Sequence, residues 1–178
     1  MFIVVRKSYS HCRELATSAI TNHKSGGMNY ETALAQGATQ ISGIAYWPNA
    51  GECTDSEGAD SDYAVKMTGD LEGCLYTFVE TAMCSPGGAY VETGHEVFVG
   101  QYNGGTGTFE TTYRFTAKFN DCVDFVEMVG RCQHPIIKGS GTGVFEGTTG
   151  RLDLKDDIEE GNFPYRGHLN QVPASPPG

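Results

Sequence analysis

Two glutamates four residues apart, Glu92 and Glu96, are the side chains of this chain best placed to do chemistry. They lie in Ala89–Tyr102, a run that alternates toward a strong hairpin signal at Asn103-Gly-Gly-Thr106. The returning run, Thr108–Phe119, has the cleanest alternation of all. Phe109, Tyr113, Phe115, Ala117 and Phe119 share one face; Glu110, Thr112, Arg114, Thr116 and Lys118 share the other. With Gly104 aligned on Gly105, Glu96 lies opposite Tyr113, Phe98 opposite Thr111, Glu92 opposite Ala117 and Tyr90 opposite Phe119. Both carboxyls then point into an aromatic interior, and Tyr90, Glu92, Glu96, Phe98, Tyr113 and Phe115 are the ligand-lining candidates. A carboxyl in such surroundings resists ionisation and can serve as an acid or a base. A bulge at Gly94 would flip every residue before it and return Glu92 to solvent.

Six cysteines are the second source of chemistry: Cys12, Cys53, Cys74, Cys84, Cys122 and Cys132. No two are spaced C-x-x-C, so neither a structural zinc site nor any other metal is expected. Disulfides formed outside the cytoplasm fit better, and an extracytoplasmic or secreted protein is expected. Met1–Val5 is nevertheless too short for the apolar core of a signal peptide, and residues 6–32 are polar. Ala33-Leu34-Ala35 has the A-x-A form of a cleavage site, so residues 1–35 read as an N-terminal appendage or a misassigned leader. Meander geometry sorts the other cysteines. The hairpin about Gly104 brings Cys84 and Cys122 to one rim, a hairpin about 70–72 brings Cys53 near Cys84, and Cys132 shares an excursion with Cys122. Two disulfides are expected among Cys53, Cys84, Cys122 and Cys132, most simply Cys53–Cys84 and Cys122–Cys132. Cys74, by a turn at the opposite rim, is expected reduced. Cys74–Cys84 is disfavoured, because ten extended residues span roughly 33 Å against the roughly 6 Å a disulfide allows.

Other constellations are weaker. Asp55, Glu57, Asp60 and Asp62 suggest calcium, but the twelfth position counted from Asp55 is Lys66 rather than Glu, and the loop reads as solvated. Neither G-x-S-x-G nor a strand-to-helix elbow occurs, so no Ser-His-Asp arrangement is assigned. His134 and His168 stand alone and read as structural. His95 and Arg114 fall opposite one another on the outer face, where they read as solvated. No cofactor is implied. A formal charge of −10 argues against nucleic acid, and no apolar run approaches the roughly 20 residues of a membrane span.

The elements that position these residues are strands. A chain of 178 residues with 24 glycines and many aromatics suits short strands joined by glycine turns. Strands are expected at 41–47, stopped by Pro48, and at 63–68, 74–81, 89–102, 108–119, 151–157 and 163–169, the last two around an acidic tip. Residues 123–129 read as a strand or a helical turn, and 136–138 lead into a glycine-rich stretch. The expectation is an all-β fold over 36–170: a small antiparallel up-and-down barrel of about eight strands, with a Pro-rich tail at 171–178. An open two-sheet sandwich is the alternative.

The stretch Gly139–Asp157, GSGTGVFEGTTGRLDLKDD, carries glycines at 139, 141, 143, 147 and 150. It lacks the Lys-Ser/Thr ending of a phosphate loop and is followed by a strand, so it makes an ordered crossover, and Val144 and Phe145 need a core to enter. Within it GTGVFEGTTGRLDL resembles the G-T-G-x-F-x-G-x-x-G signature near the end of allene-oxide-cyclase-like barrels, a group that includes dirigent proteins and bacterial families. The resemblance implies a barrel whose cavity steers cyclisation or coupling of a reactive substrate by shape and a few polar groups. No cyclase catalytic residue matches a position here. We expect a secreted or envelope barrel that binds a small apolar or aromatic molecule in its interior. The alternatives are a cyclase, isomerase or dirigent-type coupling protein, and a non-catalytic interaction module with a filled barrel. A homo-oligomer is compatible with each.

Overall fold

The computed structural model describes residues 37–155, 157 and 160–171. The N-terminal appendage, Cys12, Asp156, Glu159 and the tail from 172 lie outside them. The described chain forms one antiparallel sheet of nine strands: β1 Thr39–Tyr46, β2 Tyr63–Gly69, β3 Leu71–Cys84, β4 Ala89–Tyr102, β5 Gly105–Phe119, β6 Glu127–Arg131, β7 His134–Pro135, β8 Thr149–Leu154 and β9 Phe163–Asn170. Their order across the sheet is β6-β5-β4-β3-β2-β1-β9-β8-β7. The all-β expectation holds, with nine strands in place of about eight.

The order contains its own demand for curvature. β6 and β7 end opposite edges of the sheet, yet Cys132 and Gln133 alone separate them in sequence. Eight inter-strand spacings in a flat sheet would cover roughly 38 Å, whereas the step from Arg131 to His134 reaches at most about 11 Å. The sheet therefore curls into a half-barrel. Beyond this stitch the chain runs beside β5: Thr111 bridges Ile136, Ile137 N–H donates to the Glu110 carbonyl (2.8 Å), and Thr142 N–H donates to the Thr108 carbonyl (2.8 Å).

The glycine-rich stretch then plugs one end. A 3-10 turn at Gly143–Phe145 inserts the fully buried Phe145 against Phe109 and Phe98, with ring centroids 5.0 and 5.6 Å away. The chain leaves through Gly150 at φ +146°, where a Cβ would strike the His168 carbonyl. Leu71, Leu75, Tyr102, Leu152, Tyr165 and Leu169 complete this core.

The β4–β5 hairpin turns through Asn103 and Gly104, at φ 49° and 79°, the positive pair a two-residue type I′ turn needs. Tyr102 consequently pairs with Gly105, and every partner shifts by two from the expected register. Glu96 faces Thr111, Phe98 faces Phe109, Glu92 faces Phe115 and Tyr90 faces Ala117. Because the shift is even, no side chain changes face. The irregularity lies on β3, between Val79 and Thr81; Gly94 pairs regularly, so Glu92 stays on the face of Glu96.

The disulfide pairing requires correction. The bridges are Cys53–Cys74 and Cys84–Cys122, with Cα separations of 5.5 and 5.9 Å, and Cys132 belongs to neither. Cys74 is not at a turn: Asp70 alone joins β2 to β3, so Cys74 already lies within β3 on its outer face. The loop before β2 folds over that face. It is pinned by Cys53 and by the Tyr76 hydroxyl, which donates to Asp55 Oδ2 (2.7 Å) and accepts Asp55 N–H (2.9 Å). The rim expected to hold Cys84 and Cys122 does hold them. Cleaved without reduction, the protein should release peptides joined 53–74 and 84–122; a 53–84 linkage would contradict the fold. Replacing Cys53 and Cys74 by serine should cost about 2–4 kcal/mol in urea melts, the usual worth of closing a loop of this size.

Candidate functional site

Two polar clusters interrupt the apolar inner face, one on each inward glutamate of β4. Glu96 is buried, 4% exposed, and accepts from three elements. Thr77 Oγ1 of β3 donates to Oε1 (3.3 Å), and Thr111 Oγ1 of β5 and His134 Nδ1 of β7 reach Oε2, each at 2.7 Å. When Nδ1–H donates to the Glu96 carboxylate, Nε2 is turned to a second neighbour. That neighbour is Cys132, whose Sγ lies 3.0 Å from Nε2 and 3.7 Å from the Leu154 carbonyl. The Tyr113 ring lies over His134, with centroids 6.1 Å apart and planes 27° from parallel. Carboxylate, imidazole and thiol thus run in series from the interior to the seam between β5 and β7.

The seam opens into a cleft of about 340 Å³ lined by Cys132, Gln133, Pro135, Thr112, Tyr113, Arg114 and Thr116. Half-buried Cys132 therefore stands between the buried pair and outside.

Glu92 gathers the second cluster at the end away from Phe145. Its carboxylate accepts from Tyr113 (2.9 Å) and Tyr63 (3.2 Å) at Oε1 and from Tyr90 (2.5 Å) at Oε2. Desolvation pushes all three phenols above their ordinary value; the negative charge of Glu92 comes next for Tyr63, the hydrogen bond to Glu92 for Tyr90, and Tyr63 and then Glu92 for Tyr113. The walls are aromatic: Tyr90 makes edge contacts with Phe115, Phe119 and Phe125 at 6.0, 5.3 and 6.1 Å. Trp47, half exposed, reaches Tyr63 at 6.0 Å.

The six ligand-lining candidates therefore divide. Glu96 and Phe98 are buried, Phe98 stacked on Phe109 at 4.9 Å, while Glu92, Tyr90, Tyr113 and Phe115 gather at the other end. His134, taken from the sequence as a lone structural histidine, is the link between Glu96 and Cys132. The signal was present: Cys132-Gln133-His134 places its first and third side chains on one face of an extended chain. His95 and Arg114 are not opposite one another. His95 faces Thr112, stacks on Phe78 (4.9 Å) and lies 3.2 Å from Glu80, while Arg114 faces Thr93.

Among the described residues no group of three or more His, Cys, Asp or Glu side chains is placed to hold a metal ion, and no helix is long and apolar enough to cross a membrane. No family model, curated protein or solved structure matches the chain.

The tyrosines give the site a pH signature. Burial, with help from Asp55, pushes Tyr76 up to about 12, and burial with Asp70 and Glu72 does the same for Tyr165. The unfolded phenols ionise near 10.0, so this stabilisation is complete below pH 10 and is lost as pH rises through about 12. A phenolate absorbance titration should show Tyr76, Tyr90, Tyr113 and Tyr165 silent near pH 10 and ionising only as the fold opens. Reversible ionisation of all nine tyrosines near pH 10 would contradict the burial described.

Proposed function

We propose that this protein works outside the cytoplasm as a binder of a small apolar or aromatic molecule, held at the tyrosine-lined end of the half-barrel. The observation that carries this reading is Glu92: a half-buried carboxylate that gathers three phenol hydroxyls among aromatic walls. A core needs no carboxylate there; an aromatic ligand with one hydrogen-bond donor does. The opposite end is filled by Phe98, Phe109 and Phe145, which leaves the Glu92 end as the seat. The two bridges are compatible with an oxidising compartment.

The resemblance of GTGVFEGTTGRLDL supports the same reading. In our proposal the chain is a divergent member of the allene-oxide-cyclase-like and dirigent-like group. Two-residue β7 then counts with the closing segment, and eight principal strands make the barrel.

The single tryptophan offers a direct test, since Trp47 touches Tyr63 and Tyr63 reaches Glu92. N-phenyl-1-naphthylamine, with one N–H between two aromatic groups, should bind one per protein and change Trp47 fluorescence. Glu92→Gln should keep the fold and weaken binding about tenfold, the roughly 1.5 kcal/mol by which a charged acceptor exceeds a neutral one. Absence of saturable binding, or equal affinity in the folded Gln variant, would refute the seat.

A further inference from the structure

We propose that Cys132 is a nucleophilic thiol, worked by His134 and oriented through Glu96, that takes an acyl group from a small ester seated in the cleft between β5 and the β6–β7 stitch. The inference stands apart from the ligand seat at Glu92, because it rests on the other carboxylate. Its basis is the order of contacts: Sγ to Nε2 at 3.0 Å, Nδ1 to Oε2 at 2.7 Å, and Oε2 held again by Thr111 at 2.7 Å. Nucleophile, base and orienting acid are each within hydrogen-bond reach of the next, the arrangement that activates thiols on unrelated folds. A purely structural half-buried cysteine has no use for an imidazole that a buried carboxylate holds at its other nitrogen. The sequence places the base two residues from the nucleophile on an extended stitch, so both project to one side.

The groups facing the thiol divide the labour. From β4, Glu96 holds Nδ1–H and stabilises the imidazolium that forms when Nε2 takes the thiol proton. From β5, the Tyr113 ring covers the imidazole, and Arg114, in the same cleft, supplies positive charge for the oxygen of the attacked carbonyl. Thr112, Thr116 and Gln133 supply further hydrogen-bonding groups, and a volume of about 340 Å³ suits a small acyl group with its alcohol.

The reaction balances without any further reagent. The thiolate attacks the carbonyl carbon and forms the C–S bond, the C–O bond to the leaving alcohol breaks, and His134 returns the proton to that oxygen. Water then attacks the thioester while His134 takes its proton. The C–S bond breaks, the acid departs, and the proton returns to sulfur. The net change is ester plus water to acid plus alcohol.

The experiment uses the native protein with both bridges intact. In p-nitrophenyl acetate, it should release one nitrophenolate per chain in a burst, with one acetyl group found by peptide mass spectrometry on Cys132. Iodoacetamide at pH 6.5 should alkylate Cys132 about tenfold faster in the native protein than in the urea-unfolded chain, despite its partial burial. Cys132→Ser should lose the burst. Glu96→Gln keeps an acceptor for Thr77 but puts an amide N–H where Thr111 and Nδ1 met Oε2, favouring the wrong tautomer; it should slow acetylation and alkylation at least about tenfold, as loss of an orienting acid does. The wild-type measurements decide even if a variant fails to fold. The proposal falls if native Cys132 is alkylated no faster than in the unfolded chain, if the acetyl group lies on another residue, or if Cys132 is found bridged to Cys12.

Discussion

Two residues, Cys132 and Gln133, join strands that end opposite edges of a nine-stranded sheet, and most of the remaining structure follows from that short span. The sheet has no freedom to lie flat. Curling brings β7 across to β5, lets Ile136 and Ile137 bond to the edge of β5, and leaves Phe145 to fill one end. The same curl carries His134, on the last strand of the order, to a carboxylate on the third. A ladder from β4 to β7 the long way round the sheet would separate them by six strand spacings, roughly 29 Å; in the curled sheet they are 2.7 Å apart.

Burying Glu96 beside that seam carries a desolvation cost of several kcal/mol, so the site is tenable only because its donors are already in place. Thr77 and Thr111 are the direct cross-strand neighbours of Glu96 on β3 and β5, and His134 is the donor that arrives only when the curl is correct. Such a group adds less to total stability than an apolar core would, but it favours the one curl that brings His134 to Oε2. At the far end Glu92 is treated differently. It is half-buried and shares three phenols, and the aromatic cluster around it is separate from the main core. One strand thus carries two carboxylates four residues apart with unlike surroundings: one enclosed and paired, one near solvent and hydroxyl-rich.

Much of this was legible in the sequence where the determinants are local. Alternation along 109–119 and the Asn103-Gly104 turn place the long hairpin and both inward glutamates, and an even error in register leaves every face correct. Phe145 and its glycines identify the plug. Non-local consequences were not legible. The β2–β3 turn contracts to Asp70 alone, which moves Cys74 from the rim into the strand, and a polar loop that reads as solvated folds back to meet it. His134 looked solitary because its partner is 38 residues away and is reached only through the curl. The pairing of β1 with β9, which joins the two meanders, likewise leaves no mark in local pattern.

The seam between β5 and β7 depends on the state of one ring, the imidazole of His134. A long-range ¹H–¹⁵N spectrum of uniformly labelled protein reads which imidazole nitrogen of His134 bears a proton. The proposed arrangement predicts a neutral ring with Nδ1–H donated to Glu96 and Nε2 bare toward Cys132. A neutral ring protonated at Nε2 and bare at Nδ1 would mean that Glu96 is the donor and carries the proton. The buried charge at the seam, and the chain of contacts from Glu96 to Cys132, would then both be wrong.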